Sequence, residues 1–257
     1  MLLAIDSGNT NIVFAVYDGD TRKGLWRAAT AQARTADDYA VWLSSLMRMR
    51  DIESSQITDA IICSVVPHAL FDLKLLCTGF FGCDAVIVSR HLDLGIRVSI
   101  EDPGSAGADR LANAVAVNKK YGGPAIVLDF GTGTTFDVVD KAGNYCGGVI
   151  APGINLSLKA LHDAAAHLPR IEVARPKKVI GGDTVGAMQS GVFWGYLGLI
   201  EGLVGRISAE FGSPMKVIAT GGLAPIFAGA TDVITEVDPD ITLTGIVEIW
   251  MRAKGII

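Results

Sequence analysis

The strongest constraint on this chain is that its opening pattern occurs twice. "AIDSGNTNIVFAVYDGD" begins at residue 4, and "VLDFGTGTTFDVVDKAG" begins at residue 127. Asp6 and Asp129, 123 residues apart, each end an apolar run. Gly8 and Gly131 follow at the same interval, each in a turn rich in Gly, Thr and Asn, and a second apolar run comes next. The periodicity around each copy predicts the same order of elements. In the first half, strands are expected at 2–6, 11–17 and 24–30, a helix at 36–50, a strand at 59–67, a helix at 67–78 and a strand at 85–89. In the second half, strands are expected at 125–130, 134–140 and 145–151, and helices at 153–166 and 183–211. A strand at 215–220, a short helix at 222–229, a strand at 232–235 and a last helix at 242–254 complete it. A single hairpin of this kind is weak evidence. Two, each opening a βββαβαβα half, indicate internal duplication. The helix from Ala108 to the "YGGP" of 121–124 carries the boundary, giving domains at 1–118 and 119–257.

Bulk properties narrow the function. Half of the 257 residues are apolar and 19% are charged, ample for a well-filled core and unlike a disordered chain. The formal net charge is −5 and no Lys/Arg cluster stands out, so nucleic acid is not an expected partner. The apolar stretch "GVFWGYLGLI" (191–200) is far short of the ~20 residues that span a bilayer. "MLLAID" reads directly as a strand with no targeting segment before it, so a soluble, cytoplasmic protein with no membrane partner is expected. No CxxC pair occurs, and none of the four histidines has zinc-ligand spacing. The P-loop, GxGxxG, GxSxG and HExxH patterns are absent as well.

The paired hairpins suit a polyphosphate. Glycine lets the backbone approach an anion without a Cβ in the way, and Asn and Thr add donors. A carboxylate beside phosphate makes sense only with a cation between them, so Asp6 and Asp129 are candidate metal holders. Two ordinary hairpins with Asx-type turns would use the same residue types. "VIATGGLA" (217–224) could bring its diglycine against a base or ribose, or be a plain strand–helix turn. In "EDPGSAGADRLANAVAV" (101–117), Asp109 and Arg110 open a helix between the two halves. Asp109 could be a helix cap, or could take a proton from a substrate hydroxyl while Arg110 holds a carboxylate. Gly191, Gly195, Gly198, Gly202 and Gly205 form one helical stripe. Each costs up to ~1 kcal/mol relative to alanine in a helix. Close packing inside the second domain, or against a second copy of the chain, would compensate.

Taken together, "DSGNT" (6–10), "CSVVP" (63–67), "GADRLANAVA" (107–116) and "DFGTGTTFDVVD" (129–140) resemble type III pantothenate kinase. So do "GGVIAPGINLSLKAL" (147–161), "LPRIE" (168–172), "GDTVGAMQSGVFWGYLGLIEGLV" (182–204) and "ATGGLA" (219–224). The resemblance implies an α/β fold of two ribonuclease H-like domains around a nucleotide cleft, as in the acetate and sugar kinase/Hsc70/actin superfamily. It implies ATP-dependent phosphorylation of pantothenate to 4'-phosphopantothenate, the first step of coenzyme A biosynthesis. Alternatives are a kinase of another small hydroxy acid, or a non-catalytic regulatory relative. By position, Asp6, Ser7, Gly8, Asn9, Thr10 and Asn11 match an ATP phosphate loop, with Asp6 near Mg2+. Asp109 matches the proton acceptor, and Gly107, Ala108, Asp109 and Arg110 the pantothenate-binding run. Asp129 matches the ligand of a monovalent cation, K+ or NH4+; Thr132 matches an ATP contact and Thr184 a substrate contact. A homodimer is also implied. Ile100 stands where many members carry tyrosine, and Gly133 where alanine is commoner.

Overall fold

The computed structural model describes residues 1–31, 34–165 and 167–257. The chain divides into two compact units. The first comprises Met1–Lys120 together with Ile241–Ile257, and the second Tyr121–Asp240.

In the first unit, β1 (Leu2–Ser7), β2 (Asn11–Asp18) and β3 (Thr21–Ala29) form an antiparallel meander. The helix α1 (Ala36–Arg48), β4 (Asp59–Ser64), α2 (Pro67–Phe80), β5 (Ala85–Ile87) and α3 (Ala108–Lys120) follow. The sheet order is β3-β2-β1-β4-β5, with β4 parallel to β1 and β5 parallel to β4. Thr35 and Asp38 close a capping box at the start of α1, which fixes where that helix begins. Pro67 opens α2 at its first position, where a missing N–H costs nothing.

The second unit repeats the plan. It contains β6 (Ala125–Phe130), β7 (Gly133–Val139), β8 (Tyr145–Pro152), α4 (Ile154–Ala164), α5 (Thr184–Phe211), β9 (Lys216–Gly221), α6 (Ala224–Ala228) and β10 (Glu236–Val237). Its sheet runs β10-β9-β6-β7-β8, the same arrangement read from the other edge. Even the burial of the leading strands matches: in β1 and β6 alike, four buried residues precede a half-buried acid and a buried last residue. Phe14 and Phe136 sit at equivalent places, opposite the residue that precedes each acid.

Three features depart from the sequence expectation. The last helix, α7 (Ile241–Ala253), packs with the first unit, so it falls outside the 119–257 domain drawn from the sequence. Its place is set by contact with α3. A Cβ on Gly245 would stand 1.8 Å from the Ala112 carbonyl oxygen, so only glycine allows this approach. Thr242 donates to Asn113 at 2.8 Å, and the buried Glu248 meets Lys119 and, at 3.3 Å, Arg252. Second, the strand expected at 232–235 forms at Glu236–Val237 instead. Thr235 ties itself to β9 through its side chain, bonding both the N–H and the carbonyl of Val217, while Ile234 is buried in the core. Third, β3 begins at Thr21, earlier than its apolar run suggests. Ala166, the final residue of the helix expected over 153–166, lies outside the described residues.

Candidate active site

In the first unit the candidate groups gather at the ends of β1 and β4. Asp6 is the fifth residue of β1, paired across the sheet with Val13 on β2 and Cys63 on β4. The turn that follows is tight: the Gly8 N–H donates to the Asn11 carbonyl at 3.0 Å. Asn9, Thr10 and Asn11 are exposed. Ser7 is the exception. It is 1% exposed, and its hydroxyl is buried without a hydrogen-bond partner.

Asp109 occupies the first turn of α3. The helix is anchored by an unbroken run of buried residues, Leu111 to Val117. The Asp109 carboxylate accepts from the Arg110 N–H at 2.8 Å. A Cβ on Gly107 would lie 2.6 Å from Asp109 Oδ1 and 3.6 Å from Val65, so glycine leaves the space the carboxylate uses. Burial raises the Asp109 carboxyl above its ordinary range, only partly opposed by the Arg110 N–H and the Arg110 charge. The thiol of Cys63 reports on both acids. Burial pushes it well above the usual thiol range, and the charges of Asp6 and then Asp109 push it further. Asp6 and Asp109 therefore share the neighbourhood of Cys63.

In the second unit Asp129 repeats the position of Asp6, fifth in β6, paired with Thr135 on β7 and Thr220 on β9. Its turn is one residue shorter. Asp6 pairs with the residue seven positions on, Asp129 with the residue six positions on, and the Gly131 N–H closes onto Gly133 at 3.0 Å. Thr132 is exposed at the tip. Thr184 begins α5, exposed, beside its cap Asp183, whose carboxylate accepts from the Gly186 N–H at 2.7 Å. Asp6, Gly107, Ala108, Asp109 and Arg110 belong to the first unit, and Asp129, Thr132 and Thr184 to the second.

Motif reading missed the supports of the turns. Thr30, the residue after β3, donates its hydroxyl to the Gly8 carbonyl at 2.7 Å, and its N–H reaches Thr10 at 2.9 Å. Gly153, the residue after β8, lies against the other turn: a Cβ there would be 2.1 Å from the Thr132 carbonyl oxygen and 2.8 Å from that of Gly131. Gly221, at φ +89, presses on Phe130, where a Cβ would meet the carbonyl oxygen at 2.5 Å. The only sequence signal for these positions is that Thr30 and Gly153 stand 123 residues apart, the same interval as Asp6 and Asp129.

The donors fit hard cations. No group of three or more His, Cys, Asp or Glu side chains among the described residues could hold a metal. A half-buried carboxylate beside an exposed turn suits Mg2+, which takes one or two carboxylates and completes its shell with water and phosphate oxygens. Asp129 beside the carbonyls of its turn offers the same all-oxygen chemistry.

The fold has solved relatives across several families. A conserved Campylobacter jejuni protein named for the Baf family of transcriptional activators superposes with a TM-score of 0.64 at 19% identity, covering 99% of this chain and 100% of that one. Component A of (R)-2-hydroxyglutaryl-CoA dehydratase from Acidaminococcus fermentans gives 0.58 at 12% identity, over 100% of this chain and 99% of that one. A ROK hexokinase from Thermus thermophilus gives 0.50 at 14% identity, over 99% of both chains. Two mixed five-stranded sheets of one order, each with an acid next to last in its leading strand, define an α/β protein of two ribonuclease H-like units. Sequence comparison narrows this further. The model of type III pantothenate kinase matches residues 2–206. The type III pantothenate kinase of Paramagnetospirillum magneticum is 61% identical over 253 residues, covering 98% of this chain and 97% of that protein. That of Rhodospirillum rubrum is 59% identical over 253 residues, covering 98% of each. The chain belongs to the type III pantothenate kinase family.

Proposed function

We propose that this chain transfers the γ-phosphoryl group of ATP to the terminal hydroxyl of pantothenate, forming 4'-phosphopantothenate for coenzyme A biosynthesis, with Asp109 as the proton acceptor. The observation that carries the reading is the placement of Asp109. A carboxyl raised by burial, at the start of a rigid helix and in the neighbourhood of Asp6, is suited to accept a proton. Phosphoryl transfer passes through a loose transition state, so the base acts late and positioning dominates. Gly107, Ala108 and Arg110 would hold pantothenate beside Asp109, Arg110 taking its carboxylate as a charge-assisted pair. Thr184 would contribute a further substrate contact.

The segment Ser7 to Asn11 would hold the ATP phosphates; with Ser7 buried in the β1 ladder, the contacts fall to the residues after it, and Thr132 would contribute an ATP contact from its own turn. Asp6 would hold Mg2+ or its water shell, and Asp129 a monovalent cation, K+ or NH4+. Such cations neutralise phosphate charge when bound. The cytoplasm, where thiols such as the four free cysteines stay reduced, is the proposed compartment.

A coupled assay following ADP in the presence of ATP, Mg2+, K+ and pantothenate tests the assignment. Turnover is expected with pantothenate. No turnover with it, against turnover on another hydroxy acid, would move the assignment to a different kinase. Exchange of K+ for Na+ is expected to slow the reaction, and an unchanged rate would remove the cation role given to Asp129.

A second copy of the chain is the proposed partner of α5. Gly191, Gly195, Gly198 and Gly205 are exposed, and a Cβ on any of them would meet nothing within 4 Å. On Gly202 it would meet Arg206 Nη1 at 3.1 Å. Packing inside the second unit therefore does not require glycine along this stripe, and close contact with another chain would. Sedimentation is expected to give a dimer, and Gly198→Leu a monomer. A wild-type chain that stays monomeric at micromolar concentrations would dispose of the idea.

A further inference from the structure

The turn at Gly131–Thr132 is backed by Gly153, and Gly153 is itself held from behind. Tyr196, on α5, donates its hydroxyl to the Pro152 carbonyl at 3.0 Å. That donation uses the only proton of the phenol, so the Ser157 hydroxyl, 2.6 Å away on α4, donates to Tyr196 in turn. Ser157 also sends its N–H to the Gly153 carbonyl at 2.9 Å, closing the first turn of α4 on the same corner. The two hydroxyls thus hold the Pro152–Gly153 peptide and the amide holds the next one, Gly153–Ile154, and the neighbour of this corner is the backbone of Thr132.

The corner has a counterpart in the other unit, where the residue after the third strand also bears on the turn that follows the acid. There the contact is a direct hydrogen bond from Thr30 to Gly8. In the second unit glycine replaces threonine and supplies no side chain, so the support is steric and must be held in place by other groups.

We infer that Tyr196 is a positioning residue for nucleotide, acting through Pro152 and Gly153 on the Thr132 turn, with Ser157 setting the orientation of its hydroxyl. The inference rests on the reading of that turn as an ATP contact. Removing the phenol oxygen leaves the ring packed and frees the Pro152 carbonyl. The corner then loses its fixed distance from Thr132, and the turn loses the geometry that receives the phosphates. Outer groups that orient the ligands of a metal typically change affinity by roughly ten- to a hundredfold when removed, and the lower end of that scale is taken for this turn.

The test uses the full-length protein and two readouts. Tyr196→Phe is expected to raise the KM for ATP and the calorimetric Kd for Mg-ADP together, by about tenfold. The KM for pantothenate and the melting temperature should stay near those of the wild type. Ser157→Ala should move the same two constants in the same direction by a smaller factor, and serves if Tyr196→Phe does not fold. Nucleotide affinity unchanged in both variants overturns the inference. So does a loss shared equally between ATP and pantothenate, because that is the mark of a general structural defect. If the wild type binds Mg-ADP yet phosphorylates no pantothenate, the proposed function fails while the binding arm still decides the role of Tyr196.

Discussion

Asp109→Asn is expected to lower kcat by about 10²- to 10⁴-fold, the range general-base catalysis contributes, while nucleotide binding is retained. The variant keeps the oxygen that accepts from the Arg110 N–H and changes only the ability to take a proton. Its stability should not fall. Burial raises the carboxyl in the folded state, so the ionised form opposes folding, and the group favours folding most when protonated at low pH. Its contribution declines as pH rises through the raised value, so a neutral amide removes a cost at neutral pH. The same shift predicts the pH profile. The acid limb of kcat/KM should lie above the range of an ordinary aspartate, with activity gained as pH rises through it. Calorimetric nucleotide binding, a melting curve and a pH–rate profile check the three parts. Full activity in Asp109→Asn would end its assignment as the base.

Gly245→Ala should produce the largest loss of stability of any single methyl addition to the first unit. The new Cβ would lie 1.8 Å from a backbone carbonyl, where no flexible side chain can yield. Overpacking of a tight core costs typically ~1–3 kcal/mol and occasionally more, and contact with main chain places this variant at the upper end. The cost also reaches the candidate site. Ala112 is only three residues after Asp109 on the same helix, so displacing α3 moves the proposed base. Denaturant unfolding should give a lower midpoint, and kcat should fall with it. A variant as stable and as active as the wild type would show that α7 does not set the place of α3.

Both predictions concern residues that differ in how far they can be read without coordinates. Asp109 was visible as an acid after a glycine at a helix start. Gly245 was not, because "ITLTGIVEIW" looks like an ordinary amphipathic helix. Its meaning comes from Ala112, more than a hundred residues earlier, whose carbonyl occupies the space a side chain would need. The turn supports were hidden for the same reason: Thr30 and Gly153 are unremarkable until the third strand of each sheet returns them to the first hairpin. Thr235 misled the strand assignment because its side chain, rather than its backbone alone, bonds β9. The glycine stripe allows two readings as sequence; the open space beside four of its five glycines is a property of the fold alone.

The sequence by itself determined the duplication, the order of strands and helices, the acids near the ends of the two leading strands and the family to which the chain belongs. These are written in local terms: side-chain periodicity, turn chemistry and motif spacing within a few residues. The tertiary structure decided that α7 joins the first unit, that the second turn is one residue shorter, and that Thr30 and Gly153 bear on the two turns. Each of these depends on which atoms meet across long stretches of chain, and excluded volume at such contacts is not encoded in the pattern of either partner alone.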